Sequence, residues 1–269
     1  MRKILLVLVA AAVCCAASAQ SFITHPWQGK KVVYIGDSIT DPRNGAADSK
    51  YWTYLQDWLG ITPYVPAVSG FQWNSVGRQM ETMKKNGWED FDAILIFLGT
   101  NDFNHSVPLG DWFSESYETV YFAENRRQKT LVPRKHRTPV FDTETLRGRI
   151  NIALDTLKKT WPDKQIVLLT PIHRAGFYPS DTNWQPDENY SNALGLYIDD
   201  YVQVVKEAGN VWAVPVIDLN ADSGLFPEHD ASAQYFNDAA TDRLHPNDKG
   251  HYRMAKTLMY KLLTLPCSF

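Results

Sequence analysis

From residue 31 onward, short unbroken apolar runs alternate with stretches whose apolar residues recur every three or four positions. Val32-Val33-Tyr34-Ile35, Ala93-Ile94-Leu95-Ile96-Phe97-Leu98 and Ile166-Val167-Leu168-Leu169 lack the polar alternation of a half-exposed strand. They predict strands buried on both faces, as in parallel sheets. Such strands are expected over residues 31–35, 63–68, 93–98, 165–170 and 211–217. Between them the helical period returns. Asp48 is placed to cap a helix over 49–59, with Tyr51, Trp52, Leu55, Trp58 and Leu59 on one stripe, and Asn74 precedes a second helix over 75–86. Asp142 or Thr143 opens 144–160, where Leu146, Ile150, Ala153, Leu154 and Leu157 share a face ahead of Pro162. Helices over 191–208 and 248–264 complete the pattern. Strands alternating with helices of this length predict parallel βαβ units, and so an α/β fold: a three-layer α/β/α sandwich around a central, mostly parallel five-stranded sheet.

Two regions break the rhythm. Residues 103–141 and 171–190 are long, aromatic and proline-rich, and read as insertions into a single domain spanning 20–269. The N-terminus reads as a separate, removable segment. Arg2 and Lys3 precede the apolar run Ile4 to Ala17, and Ala17-Ser18-Ala19 offers small residues to signal peptidase, so 1–19 is expected to be a cleaved export signal. The run is shorter than the ~20 residues a membrane span needs, which disfavours stable membrane insertion. The mature protein is therefore expected in the periplasm or outside the cell, with lipid anchoring through Cys14 or Cys15 as the weaker alternative. Export leaves only Cys267, so no intrachain disulfide and no thiol chemistry is expected.

The formal net charge of -3 becomes more negative by two when Arg2 and Lys3 leave, so nothing drives the chain toward nucleic acid. Against this background Arg126, Arg127, Lys129, Arg134, Lys135, His136 and Arg137 form one basic cluster. It reads either as a solvated hairpin surface or, with Arg134 as a contact, as a site for anionic glycans.

Polar, glycine-containing turns follow the first three strands: Gly36-Asp37-Ser38, Ser69-Gly70 and Gly99-Thr100-Asn101-Asp102. In an open parallel sheet, ligands collect beyond the carboxyl ends of the strands, so these turns converge on one edge. Ser38 caps the next helix or attacks a substrate; the second role needs a base and a group to orient it. Asp242 and His245, three residues apart ahead of the last helix, supply that pair. The amides of Ser38 and Gly70 and the side-chain amide of Asn101 are candidate donors to an oxyanion. Phe71, Trp73 and His173 are candidate substrate contacts beside these turns. Asp218 is expected to cap or brace a loop, and Glu228-His229-Asp230 with Asp238 match no metal-ligand spacing, so no metal or other cofactor is expected.

Together, Gly36-Asp37-Ser38-Ile39, Gly70, Gly99-Thr100-Asn101-Asp102 and Asp242-Arg243-Leu244-His245 resemble the four sequence blocks of the SGNH hydrolase superfamily, the GDSL-type esterases and lipases. The order and spacing match from residue 31 to about 262. The resemblance implies the flavodoxin-like SGNH fold, with Ser38 as nucleophile, His245 as general base, Asp242 as its orienting partner and Asp37 as a structural acid. It also implies Ser38, Gly70 and Asn101 as the oxyanion donors. The second block, Ala67-Val68-Ser69-Gly70-Phe71, lacks the Asn-x-Gly lead-in of many relatives.

These readings lead to a serine ester hydrolase acting on an acylated carbohydrate or another small ester, with acetyl the favoured acyl group. Phe103, Trp112, Phe113, Tyr117, Tyr121, Phe177, Tyr178 and Trp184 in the two insertions are rings that stack on sugars or merely pack those loops. A lipase, lysophospholipase or thioesterase is the enzymatic alternative, and a glycan-binding protein without catalysis is the other.

Overall fold

The computed structural model describes residues 24–265. The expected export signal at 1–19 and Cys267 lie outside the described residues. The chain opens with β1 (Lys31–Gly36), α1 (Tyr51–Leu59), β2 (Thr62–Tyr64), α2 (Val76–Lys85), β3 (Ala93–Phe97) and the short α3 (Thr100–Asn104). A long hairpin, β4 (Phe113–Phe122) and β5 (Thr130–Pro139), precedes α4 (Leu146–Thr160) and β6 (Gln165–Leu169). Then come β7 (Phe177–Ser180), β8 (Asn183–Gln185), α5 (Ile198–Trp212), β9 (Val216–Ile217) and α6 (Leu219–Asp222). The chain closes with β10 (Phe236–Asp238), β11 (Asp242–Pro246) and α7 (Asp248–Thr264).

The central sheet is five-stranded and parallel, in the order β2-β1-β3-β6-β9. Successive strand residues point to opposite faces, so each central strand feeds two cores. Val33, Ile35, Ile94, Ile96, Ile166 and Leu168 pack beneath α2, α4 and α5 on one side. Val32, Tyr34, Leu95, Phe97, Val167 and Leu169 pack against α1 and α7 on the other. The strand order reverses between β1 and β3, and that switch point is where such sheets open a crevice.

Several element boundaries differ from expectation for local reasons. The strand expected over 63–68 stops at Tyr64 and is not buried on both faces; β2 is an edge strand, and Pro63 and Pro66 have no N–H to give a ladder. The apolar residues 211–212, expected in a strand, finish α5, whose last turn is tied down by Trp212 Nε1 donating to Asn151 Oδ1 at 2.8 Å; only Val216–Ile217 are strand. That helix also starts at Ile198, not 191, because Asn192 accepts from the Leu194 and Leu196 amides and holds a loop there. α1 begins at Tyr51 with Lys50 in the capping position in place of Asp48, α2 follows a 3-10 turn over Trp73–Ser75, and α4 begins at Leu146. Trp58, expected on the buried stripe of α1, is 36% exposed.

The insertions are ordered in ways that residue pattern alone concealed. Residues 103–141 contain the β4–β5 ladder, whose positions are almost all exposed on both faces. Residues 171–190 contain β7 and β8, which join β10 and β11 in a separate four-stranded sheet ordered β10-β11-β7-β8. No helix among the described residues is long and apolar enough to cross a membrane.

Candidate active site

β1 ends at Gly36, where an added Cβ would lie 2.3 Å from Thr40 Oγ1, so only glycine lets the following turn fold back this tightly. In that turn Thr40 N and Asp41 N donate to Asp37 O, and Ile39 N donates to Asp37 Oδ1 at 3.1 Å. Ser38 is thereby held at the sheet edge, 8% exposed. Asp242 and His245 reach it from β11 in the second sheet, where Asp242 pairs with Phe177. His245 Nε2 lies 2.9 Å from Ser38 Oγ, and His245 Nδ1 lies 3.0 Å from Asp242 Oδ1. An ionised Asp242 only accepts, so Nδ1 carries the ring proton and Nε2 is left to accept from Ser38. The Phe177 ring meets the His245 ring edge-on at 4.8 Å and fixes its plane.

Burial pushes the Asp242 carboxyl up, but hydrogen bonds from His245 and from the Asn237 amide, with the charge of His245, outweigh it and hold the group below the ordinary carboxylate value. Asp242 therefore stays ionised where hydrolysis is assayed.

The candidate oxyanion donors come from the turns after β1, β2 and β3. Phe71 N donates to Val68 O at 3.1 Å, closing a tight turn in which Gly70 has φ of +81°, a conformation glycine adopts without strain. Asp41 clamps this turn by accepting from both Ser69 N (2.8 Å) and Ser69 Oγ (3.0 Å), a positioning role the sequence reading missed. Neither the Ser38 nor the Gly70 amide has an acceptor among the described residues. Asn101 is oriented by donating to Phe71 O at 3.1 Å and, more weakly, to Asp37 Oδ2 at 3.4 Å.

The expected substrate contacts fare differently. Phe71 is half-buried with Arg78 over its ring. Trp73 is 1% exposed and packs in the core with Val76 and Phe103, so it offers no surface to a substrate. His173 Nδ1 is bound to Glu188 at 2.6 Å, and its ring meets Phe226 edge-on. Arg134 sits on the exposed hairpin, over the Phe122 ring and against Pro133 O, so its observed contacts are within the hairpin and not with the triad. Among the eight insertion aromatics, Phe103 is buried core, whereas Tyr117 and Trp184 are exposed. Asp218 does cap α6, accepting from Ala221 N. Among the described residues, no group of three or more His, Cys, Asp or Glu side chains is arranged to hold a metal ion.

Two buried acids lie behind the serine turn. Burial raises Asp37 to about 7, and burial, opposed by Arg149, raises Asp102 to about 6. A carboxyl that is more basic folded than unfolded holds its proton better in the folded state between the two values. Its contribution to stability is therefore lost as pH rises from about 4 toward 7 for Asp37. Asp37→Asn, a neutral mimic of the protonated acid, is expected to gain on wild type as pH rises, its melting temperature standing several degrees further above wild type at pH 8 than at pH 5, taking ~2–4 °C per kcal/mol. Thermal melts of both proteins across this range give the answer, and the difference between them cancels the opposing titration of buried His251. An equal offset at both pH values would exclude Asp37 as the titrating group.

A serine, an imidazole and a carboxylate in line at the carboxyl edge of a doubly wound sheet are what serine-dependent acyl transfer requires. The chain belongs to the GDSL-like Lipase/Acylhydrolase family, whose model matches residues 34–253, and the family places it among ester hydrolases. Solved structures of similar fold include a protein from Lactobacillus plantarum, 25% identical over 87% of this chain and 97% of that one, with a TM-score of 0.66. A possible lipase from Chitinophaga pinensis is 20% identical over 86% and 97%, with a TM-score of 0.61. A catalytic mutant of an acetylxylan esterase from Geobacillus stearothermophilus is 20% identical over 90% and 97%, with a TM-score of 0.53. No curated protein matches the chain significantly in sequence.

Proposed function

We propose that this chain is an exported esterase that removes acetyl groups from carbohydrate hydroxyls through an acyl-enzyme on Ser38. The observation that carries the reading is the line of contacts from Asp242 through His245 to Ser38, at 3.0 and 2.9 Å. In this scheme Ser38 Oγ bonds to the ester carbonyl carbon as its proton passes to His245 Nε2. The carbonyl oxygen becomes an oxyanion facing the Ser38 and Gly70 amides and the Asn101 side chain. Collapse expels the sugar oxygen, which takes the proton from His245. Water then attacks the acetyl-serine by the same route and frees acetate.

Support for a carbohydrate leaving group comes from the exposed aromatic and amide side chains next to the triad-bearing sheet, and from the likeness in fold to an acetylxylan esterase. The fold is more like that of a possible lipase, with a TM-score of 0.61 against 0.53, so acyl length must separate the readings. The test is intact-mass spectrometry after fluorophosphonate treatment, followed by nitrophenyl esters of increasing chain length. One adduct, absent from Ser38→Ala, and a sharp fall in kcat/KM beyond propionate are expected. A maximum at eight carbons or more would replace deacetylation by lipolysis, and an unreactive wild type would end the esterase reading.

A further inference from the structure

A cleft of about 280 Å³ opens between α3 and β8, and its walls belong to the elements that position the candidate active site. α3 carries Asn101 near its start and presents Phe103 and Asn104 to the cleft at its end. β8 is the outer strand of the sheet in which Asp242 pairs with Phe177 and Phe177 with Gln185. Two strand spacings, about 10 Å, therefore separate Asp242 from the wall of the cleft. A chain molecule whose ester lies on Ser38 can reach it with its next units.

The chemistry of the lining is specific. It contains no Asp, Glu, Lys or Arg, only amides, hydroxyls, one histidine and rings. Trp184 and Tyr190, 65% and 62% exposed, are two large rings left in solvent on one concave surface. Trp184 is also braced, its ring 4.2 Å from that of Tyr178. The amides are held in advance from below. Arg174, 1% exposed, donates to Asn104 Oδ1 and, at 3.0 Å, to Gln185 Oε1; Asn104 Nδ2 donates to the same Gln185 oxygen at 2.7 Å. Gln185 Nε2 in turn donates to Asn183 Oδ1 at 2.8 Å, which leaves the Asn183 NH2 to donate elsewhere. Neutral donors and acceptors fixed beside flat apolar rings match a polyol with hydroxyl edges and C–H faces, and the lining carries no Lys or Arg to balance a carboxylate or phosphate. Arg174 also donates to Thr100 Oγ1 at 3.3 Å and lies over the Phe103 ring, so one buried guanidinium ties both amides of the cleft wall to α3.

We propose that this cleft is a subsite for an uncharged sugar unit of the polymer whose neighbouring unit carries the ester. Its link to catalysis rests on the carbohydrate reading above; the binding itself does not. It also assigns polymer recognition to this cleft and not to the basic hairpin.

The test is isothermal titration of the wild-type protein with unesterified xylotetraose, cellotetraose and mannotetraose, with trigalacturonate as the charged comparison. At least one neutral tetrasaccharide is expected to bind more tightly than trigalacturonate. Trp184→Ala and Tyr190→Ala should each weaken that binding about tenfold with unchanged melting temperature, and Trp184→Phe should retain it within about threefold. Absence of binding by all three neutral sugars, preference for trigalacturonate, or affinity unchanged in both alanine variants would overturn the subsite. The two readings fail differently. Binding without hydrolysis of the acetylated form of the same sugar defeats the deacetylase reading and leaves the subsite standing. Hydrolysis with equal kcat/KM in wild type and Trp184→Ala defeats the subsite alone.

Discussion

Replacing Asp242 by asparagine is expected to lower kcat by about 10⁴, against about 10⁶ for Ser38→Ala, with little change in fold. Asp242 Oδ1 accepts from Leu244 N, His245 N and His245 Nδ1, and Oδ2 accepts from Asn237 Nδ2. Two backbone N–H groups on Oδ1 require that the asparagine oxygen take that place. The new NH2 then falls where Oδ2 was, 3.1 Å from His245 Nδ1 and facing the Asn237 amide. It competes as a donor for the Nδ1 lone pair and so favours the ring with its proton on Nε2, which cannot accept from Ser38. The lost carboxylate charge also leaves the imidazolium without its counter-ion as the proton moves. Stopped-flow hydrolysis of nitrophenyl acetate by the two variants measures both effects. An Asp242→Asn enzyme within tenfold of wild type would mean that Asp242 does not control the imidazole.

The four blocks that carry Ser38, Gly70, Asn101 and the Asp242–His245 pair were legible because each combines a residue type with a fixed position after an element. Gly36, Gly70 and Gly99 occupy sites where a side chain would clash or a positive φ is needed, so the turns are marked in the residues themselves. The central strands β1, β3 and β6 were equally legible, since burial on both faces leaves an unbroken apolar run. β9 was not, because a two-residue strand beside the end of α5 has no period to read. The second sheet was hidden for a different reason. Its four strands are short, polar and irregular, with shifts in register on both hairpins, and its pairing of Asp242 with Phe177 is far separated in sequence. That sheet brings His245 to Ser38, yet the sequence offered only the spacing of Asp242 and His245 within it. Arg174 and Arg149 were missed because nothing local distinguishes a buried arginine from a solvated one.

Arg149 gives the largest expected loss of stability. It is 8% exposed and donates from Nη1 to Asp102 Oδ1 at 2.9 Å and to Gln72 Oε1 at 2.8 Å, and from Nε to Thr143 O at 2.5 Å. Asp102 is fully buried, and its other oxygen accepts from Trp73 N at 3.2 Å. Removing one partner of such a pair strands the other charge in the interior, which costs about 3–5 kcal/mol. Arg149→Ala is therefore expected to lower the melting temperature by roughly 6–20 °C, at ~2–4 °C per kcal/mol. Arg149 lowers the Asp102 pKa against the burial that raises it to about 6, so without the guanidinium the carboxyl must climb further. The deficit is then smaller at pH 5, where protonation relieves the stranded charge, than at pH 8. Arg149→Met combined with Asp102→Asn removes both charges and should recover most of the loss. The consequence reaches chemistry through one peptide bond: Asp102 follows Asn101 on α3 and anchors the Trp73 amide, two residues past Phe71, whose carbonyl accepts from the Asn101 side chain. Loosening Asp102 should therefore lower kcat more than it raises KM, even at temperatures where Arg149→Ala is fully folded, because the Asn101 amide is needed most when the oxyanion forms. Equal melting of Arg149→Ala at pH 5 and pH 8 would show that Asp102 does not depend on Arg149 for its charge.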